Sequence, residues 1–268
     1  YWKRMEFSKS QWIELSDHAR EAGLLFFCSP FSIKAVEMLM EIGVPLWKIS
    51  SGEALSKDFL TTLIHTRLPI IMSTGLLNQE ELCRNVHHIL EGGSELCLLQ
   101  CSSQYPAPLA QTGINRIGEM REEFSVPVGL SDHSGSIWPG IAGLVIDIDV
   151  LEVHITLHQR AFGPDVAASL TPADLRQIVA ARQAMSVLLN NPVSNVDLTD
   201  DQVKIRQLFS KSVATIRNLV RGEVLSPGML TLKKPGTGLR PSELSQLYGR
   251  KLTRDVSSNE LLSLSDLE

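Results

Sequence analysis

The sequence predicts a parallel α/β fold of the (β/α)8 type, and three observations carry that reading. Short apolar runs alternate with stretches of helical period; the unit recurs six times between Leu24 and Leu157; and each apolar run ends in a cluster of polar side chains. The runs are Leu24 to Ser29, Leu46 to Ser51, Pro69 to Thr74, Leu96 to Ser102, Val126 to Ser131 and Val150 to Thr156. Between them, Ile33-Val36-Met38-Leu39-Met40 and Leu82-Val86-Ile89-Leu90 space apolar residues three and four apart, which puts one buried stripe on each helix. Strands alternating with helices make βαβ units and hence a parallel sheet, either closed or open. An open sheet gathers its chemistry at one switch point, whereas here every run offers polar groups at its C-terminal end. Only a closed ring lets all of them converge. Six units do not close an eight-fold ring, so the expectation is a barrel that lacks two N-terminal units, unless a partner supplies them.

After the last run, Thr171-Pro172-Ala173-Asp174 opens a long helix, with Thr171 as N-cap and Pro172 at the first helical position; Asn190-Asn191-Pro192 ends it. The pattern then changes to short β runs, Val213 to Ile216 and Met229 to Leu232, punctuated by Gly222, Pro227-Gly228 and Pro235-Gly236. The expected domains are therefore a barrel over residues 1–190, a linker over 191–209 and a small β-rich domain over 210–268.

Composition excludes several classes. In 268 residues, 43% hydrophobic and 21% charged side chains suit a packed globular chain rather than a disordered one. A net charge of -5 leaves no basic excess for nucleic acid. The longest apolar stretch, Ile141 to Val150, is too short for a bilayer and carries Asp147 and Asp149. Cys28, Cys83, Cys97 and Cys101 form no CxxC pair and read as buried, reduced thiols. A cytoplasmic protein binding neither nucleic acid nor membrane is expected.

The polar clusters hold the candidate chemistry. His133 and His154 end neighbouring strands, where two imidazoles could share one divalent cation; the plainer alternative is a hydrogen-bonded histidine pair at the mouth. Asp132 alternates away from His133 and reads either as a group that supports the site from behind or as a structural one. Lys48 and Glu53 flank a Ser-Ser-Gly turn: the lysine suits a phosphate or carboxylate, the glutamate a hydroxyl or water, and a simple ion pair is the competing reading. Ser51, Ser73, Ser103 and Ser131 are singly ordinary turn residues, but four in one ring suggest an oxyanion ligand, with Gly52 and Gly75 permitting close backbone approach. Asp165 sits in a Gly-Pro turn, and Lys234 lies in the basic turn Lys233-Lys234-Pro235-Gly236-Thr237-Gly238. No Walker A pattern and no GxGxxG opening a helix occur.

Taken in order, Lys48-Ile-Ser-Ser-Gly-Glu53, Ser73-Thr-Gly75, Gln100-Cys-Ser-Ser-Gln-Tyr-Pro106, Gly129-Leu-Ser-Asp-His133, Glu152-Val-His154 and Gly163-Pro-Asp165 resemble the motif series of the sialic acid synthase (N-acetylneuraminate synthase) family. Lys211-Ser-Val, Arg221-Gly-Glu223, Lys234-Pro-Gly-Thr-Gly238 and Gly249-Arg-Lys251 resemble that family's antifreeze-like (SAF) domain. The resemblance implies condensation of phosphoenolpyruvate with an N-acetylated hexosamine such as N-acetylmannosamine. It implies that His133 and His154 bind a divalent cation, Mn2+ or else Mg2+. It further implies that Lys48, Ser51, Ser73, Tyr105 and Ser131 hold the carboxylate and phosphate of phosphoenolpyruvate, that Ser103 also binds substrate, that Glu53 positions sugar or water, and that Asp165 contacts sugar hydroxyls. Lys234 would face a partner's sugar site in a domain-swapped homodimer. Gln100, Val153, Val166 and Lys234 stand where the family usually has His, Lys, His and Arg. Two other functions fit the same residues: a Schiff-base aldolase on Lys48, or an inactive barrel that binds sugar phosphates.

Overall fold

The computed structural model describes residues 2–193 and 197–268. The chain forms two compact units, Tyr1–Asn191 and Pro192–Glu268.

The first unit runs α1 (Lys9–Glu21), α2 (Ile33–Ile42), β1 (Trp47–Ile49), α3 (Lys57–His65), β2 (Ile70–Ser73), α4 (Gln79–Glu91), β3 (Leu96–Cys101), α5 (Asn115–Phe124), β4 (Val128–Asp132), α6 (Trp138–Val145), β5 (Leu151–Ile155), β6 (Ser169–Leu170) and α7 (Pro172–Asn190). All six strands are parallel and neighbour one another in chain order. Such single winding, without a reversal of strand order, is the barrel-type arrangement rather than the doubly wound one.

Local signals explain the helix boundaries. Ser32, Ser56 and Asn78 accept hydrogen bonds from the first-turn amides of α2, α3 and α4, and Thr171 with Asp174 forms the capping box that starts α7. Gly43 ends α2 with φ 85°, a left-handed cap that a side chain would strain.

The strands alternate cleanly. Trp47 and Ile49, Ile70 and Met72, Leu96 and Leu98, and Val128 and Leu130 are buried against the helices, with Leu60, Leu63, Ile89 and Ile117 completing the core. The intervening residues, including Lys48, Ser73, Cys101 and Ser131, turn to the opposite face. Trp47 is fully buried, and its indole N–H donates to Thr66 Oγ1 at 2.8 Å, satisfying its only donor.

Two expectations need correction. The run Leu24 to Ser29 is not a strand; it contributes a single bridge, Cys28 to Trp47, and Leu24 and Leu25 are 65% and 73% exposed. The sixth strand is instead the two-residue β6, paired with β5 after a short turn of 3-10 helix over Val166–Ala168. Among the described residues the six-stranded sheet does not close, as six units alone would not: β6 pairs with β5, and β1 meets Cys28 on its outer side. The four cysteines are all free as expected, but Cys101 is the one that is buried, and Cys28, Cys83 and Cys97 are half-buried.

The second unit opens with α8 (Asp200–Phe209), so the segment 191–209 is not a simple linker. The antiparallel pair β7 (Ser212–Thr215) and β8 (Leu230–Lys233) follows, extended by bridges from Ala214 to Leu261, Leu219 to Val256 and Leu252 to Leu267. Val213, Leu219, Leu225, Leu252 and Leu262 form its own apolar core. Among the described residues, no helix is long and apolar enough to cross a membrane.

Candidate active site

The strand register builds the site. Cys101 lies opposite Ser131 and Ser131 opposite Glu152, so these C-terminal strand residues point to one face, with Lys48 and Ser73 on the strands beside them. Continuing the register one step past Asp132 and Val153 brings His133 level with His154. The result is a cleft of about 290 Å³ lined by Ser29, Lys48, Ser50, Ser51, Ser73, Cys101, Tyr105, Ser131, His133, Glu152, Val153 and His154.

Lys48 enters this cleft from β1 and is only 8% exposed. Its ammonium donates to Ser73 Oγ at 2.9 Å and to the Ile49 carbonyl at 3.1 Å, and it lies 3.5 Å from Glu152 Oε2. Gly75 explains the close approach of the neighbouring loop: a Cβ there would sit 2.6 Å from Ser103 Oγ and 2.8 Å from the Cys101 carbonyl. No such crowding surrounds Gly52.

The imidazole rings of His133 and His154 lie 5.1 Å apart between centroids, tilted by 57°. Tyr105 stacks on His133 at 4.1 Å and meets His154 edge-on at 5.6 Å. His133 Nδ1 is 2.9 Å from the Ser102 carbonyl. A carbonyl only accepts, so Nδ1 carries the proton and Nε2 offers a lone pair. That lone pair accepts from the Tyr105 hydroxyl at 3.1 Å. Burial is the main cause that lowers the His133 pKa, outweighing the Ser102 hydrogen bond, so the ring favours its neutral, ligating form. Burial, with the charges of Cys101, Asp165 and Glu152, pushes Tyr105 up to about 12, so the phenol keeps the proton it donates.

Other expected residues fall into place unequally. Ser51 and Ser103 sit together, their hydroxyls 3.4 Å apart. Asp132 is turned away from the cleft and held by the Ser134 amide and hydroxyl at 3.1 and 2.8 Å, the structural one of its two readings; burial raises its pKa against these bonds. Asp165 lies outside the cleft lining, yet near enough for its charge to act on Tyr105; its carbonyl accepts from Ser169. Glu53 is half-buried beside the cleft rather than in its lining. Lys234 belongs to the second unit, where its ammonium sits 5.0 Å over the Phe209 ring. Gln100 hydrogen-bonds the Thr112 carbonyl at 3.2 Å and braces a loop.

One expectation about donors changes. Ser131 was expected to present its hydroxyl to an anion, but the hydroxyl donates to Glu152 Oε1 at 2.6 Å. Glu152 itself, absent from the expected contact set, is the acidic member of the cleft; its alternation with His154 on β5 was the available signal.

A strand-end cleft holding an ammonium, hydroxyls and two imidazoles, on a singly wound parallel sheet, defines a barrel-type enzyme working on a small anionic substrate. The chain belongs to the NeuB family, which residues 1–193 match, and residues 210–268 match the SAF domain. It is 30% identical to the N,N'-diacetyllegionaminic acid synthase of Legionella pneumophila over 99% of this chain and 76% of that protein. It is 29% identical to human N-acetylneuraminate-9-phosphate synthase over 97% of this chain and 72% of that one. Among solved structures, the N-acetylneuraminic acid synthetase of Leptospira borgpetersenii, in complex with citrate, superposes with a TM-score of 0.69 at 25% identity, covering 76% of this chain and 70% of that chain.

The imidazole pair fits the divalent cation that the resemblance implies. The rings lie 5.1 Å apart, close enough that one ion could be held between them, and the Ser102 bond to Nδ1 leaves His133 Nε2 as the ligating atom. Among the described residues, no cluster of three or more His, Cys, Asp and Glu forms a metal site. A cation held by the two rings would therefore keep positions open for oxygen ligands.

Proposed function

We propose that this protein condenses phosphoenolpyruvate with an N-acetylated hexosamine such as N-acetylmannosamine, forming a nonulosonic (sialic) acid and inorganic phosphate. The observation that carries the reading is the pairing of His133 and His154, 5.1 Å apart, in the same cleft as the buried Lys48. The family match and the synthase names of the relatives support it.

In the reaction, C3 of the enol forms a bond to the sugar's aldehyde carbon, and the aldehyde oxygen takes up a proton. Water adds to C2, giving a tetrahedral carbon that carries both a hydroxyl and the phosphate; the C2–O bond to phosphate then breaks as the hydroxyl loses its proton, leaving a C2 ketone and inorganic phosphate, so no external oxidant or reductant is required. Lys48, with Ser51, Ser73, Ser103 and Tyr105 around it, holds the carboxylate and phosphate of phosphoenolpyruvate and steadies the departing charge. His133 and His154 would hold the cation, Mn2+ or Mg2+, which when bound acts as a Lewis acid toward the aldehyde oxygen. For that, the Tyr105 hydroxyl must release His133 Nε2. Glu53 positions sugar or water, and Asp165 addresses sugar hydroxyls. Lys234 serves the sugar site of a second protomer in a swapped homodimer, and the enzyme works in the cytoplasm.

The Schiff-base alternative is less well supported. The Lys48 nitrogen is engaged by Ser73 Oγ and the Ile49 carbonyl, with Glu152 alongside, a setting suited to gripping an anion rather than to attacking a carbonyl. The test is to incubate the protein with phosphoenolpyruvate, N-acetylmannosamine and Mn2+, measuring inorganic phosphate and identifying the product by mass spectrometry. Phosphate and a nine-carbon acid in equal amounts, dependent on both substrates, are expected. Failure to release phosphate with a panel of N-acetylated hexosamines would refute the reading.

A further inference from the structure

We propose that Glu152 is a positioning residue that holds the anion-binding lysine and the Ser131 hydroxyl in their working orientations; this rests on the condensation reading above. Its two oxygens divide the task. Oε1 accepts the Ser131 hydroxyl at 2.6 Å, and Oε2 lies 3.5 Å from the Lys48 ammonium. β5 thus ties together side chains from β1 and β4, which are not neighbours in the sheet.

The chemistry of the cleft makes this arrangement informative. A carboxylate beside the site of a phosphorylated acid repels that ligand, so Glu152 does not improve ground-state binding through its charge. What it supplies is direction. The Ser131 proton is committed to Glu152, which leaves the serine oxygen's lone pairs, rather than its hydrogen, facing the cleft. His133 Nε2, 3.4 Å from that oxygen, is consequently not occupied by the serine proton, so only the Tyr105 hydroxyl has to release it for it to act as a ligand. The Lys48–Glu152 separation of 3.5 Å is longer than a good charge-assisted hydrogen bond, whereas Ser73 at 2.9 Å and Ile49 at 3.1 Å take two of the three ammonium hydrogens at ordinary distance. The third is drawn toward Glu152 and can turn to an incoming anion without breaking a tight contact. Glu152 is one-third exposed at its side chain, so it stands at the cleft wall rather than in the core.

The test is a comparison of wild type, Glu152→Gln and Glu152→Asp. Gln keeps the shape and a carbonyl oxygen for Ser131 but removes the charge that orients Lys48; Asp keeps the charge on a shorter arm. Thermal melts establish that each variant is folded. Kd for phosphoenolpyruvate is measured by calorimetry, and kcat and KM by phosphate release. For Glu152→Gln the expected result is a kcat lower by about tenfold or more, with phosphoenolpyruvate affinity equal to wild type or tighter, and partial recovery of kcat in Glu152→Asp. A merely structural role would move the melting temperature without that split. Wild-type turnover matched by Glu152→Gln in both constants would overturn the proposal alone, as would a loss confined to phosphoenolpyruvate affinity. Absence of turnover in the wild type would remove the condensation reading and this proposal with it.

Discussion

Replacing Lys48 with Met separates the charge of this residue from its packing. Met keeps most of the side-chain length and removes the ammonium, which lies 2.9 Å from Ser73 Oγ, 3.1 Å from the Ile49 carbonyl and 3.5 Å from Glu152. The two hydrogen bonds are made by a charged donor and are worth about 1.5–3 kcal/mol each, offset by the several kcal/mol that burying the ammonium costs. Glu152 keeps its Ser131 donor and its access to water, so it is not stranded as a buried charge. The expected loss of stability is therefore about 1–3 kcal/mol, less than the usual 5–15 kcal/mol that holds a domain folded. Binding should suffer more. A hydrogen bond to a charged group contributes about 1.5–3 kcal/mol, which corresponds to a Kd for phosphoenolpyruvate weaker by about 10- to 150-fold. Calorimetric titration of phosphoenolpyruvate in the presence of Mn2+, beside thermal melts of both proteins, measures the two effects separately. A folded Lys48→Met protein with a Kd within about twofold of wild type would refute the assignment of Lys48 to the acid.

Two further outcomes follow from the same structure. Trp47→Ala removes a fully buried indole between strand and helix layers and should destabilise the first unit by about 3–5 kcal/mol, read from denaturant midpoints; a change below about 1 kcal/mol would contradict the packing described. His133 has a folded-state pKa lowered from its ordinary 6.5, mainly by burial, so the unfolded chain binds its proton more readily than the folded one. Stability should thus rise with pH through the window from that lowered value up to about 6.5 and fall on acidification through it, and His133→Gln should flatten the dependence in melts taken between about pH 5 and 7.

Much of the sheet is legible in the sequence because each buried strand carries apolar residues on alternate positions and ends at polar ones. The run Leu24 to Ser29 has the same composition, yet composition does not supply a neighbour: beyond β1 it finds only the bridge to Trp47, and its leucines remain in solvent. Strand β6 is two residues long and carries no periodicity to detect. Helix α8 was detectable, since Thr199-Asp200-Asp201-Gln202 has the spacing of the capping box that the structure shows, but the polar residues before it read as linker. For the site, polar strand ends located Lys48, Ser73, Ser131, His133 and His154 correctly in one cleft. What they could not convey is direction. That Ser131 donates to Glu152 instead of to a ligand depends on the β4–β5 register, which no single strand encodes.

The central claim, that two imidazoles and one ammonium serve a single site, is tested most directly by cation binding. Mn2+ is titrated against the protein and the free ion is followed by its paramagnetic resonance signal, with and without phosphoenolpyruvate. The expected result is one bound cation per chain in the wild type, loss of that binding in His154→Ala and in His133→Gln, and in Lys48→Met retention of the cation with no response to phosphoenolpyruvate. Binding of Mn2+ that is indifferent to both histidine substitutions would contradict the account.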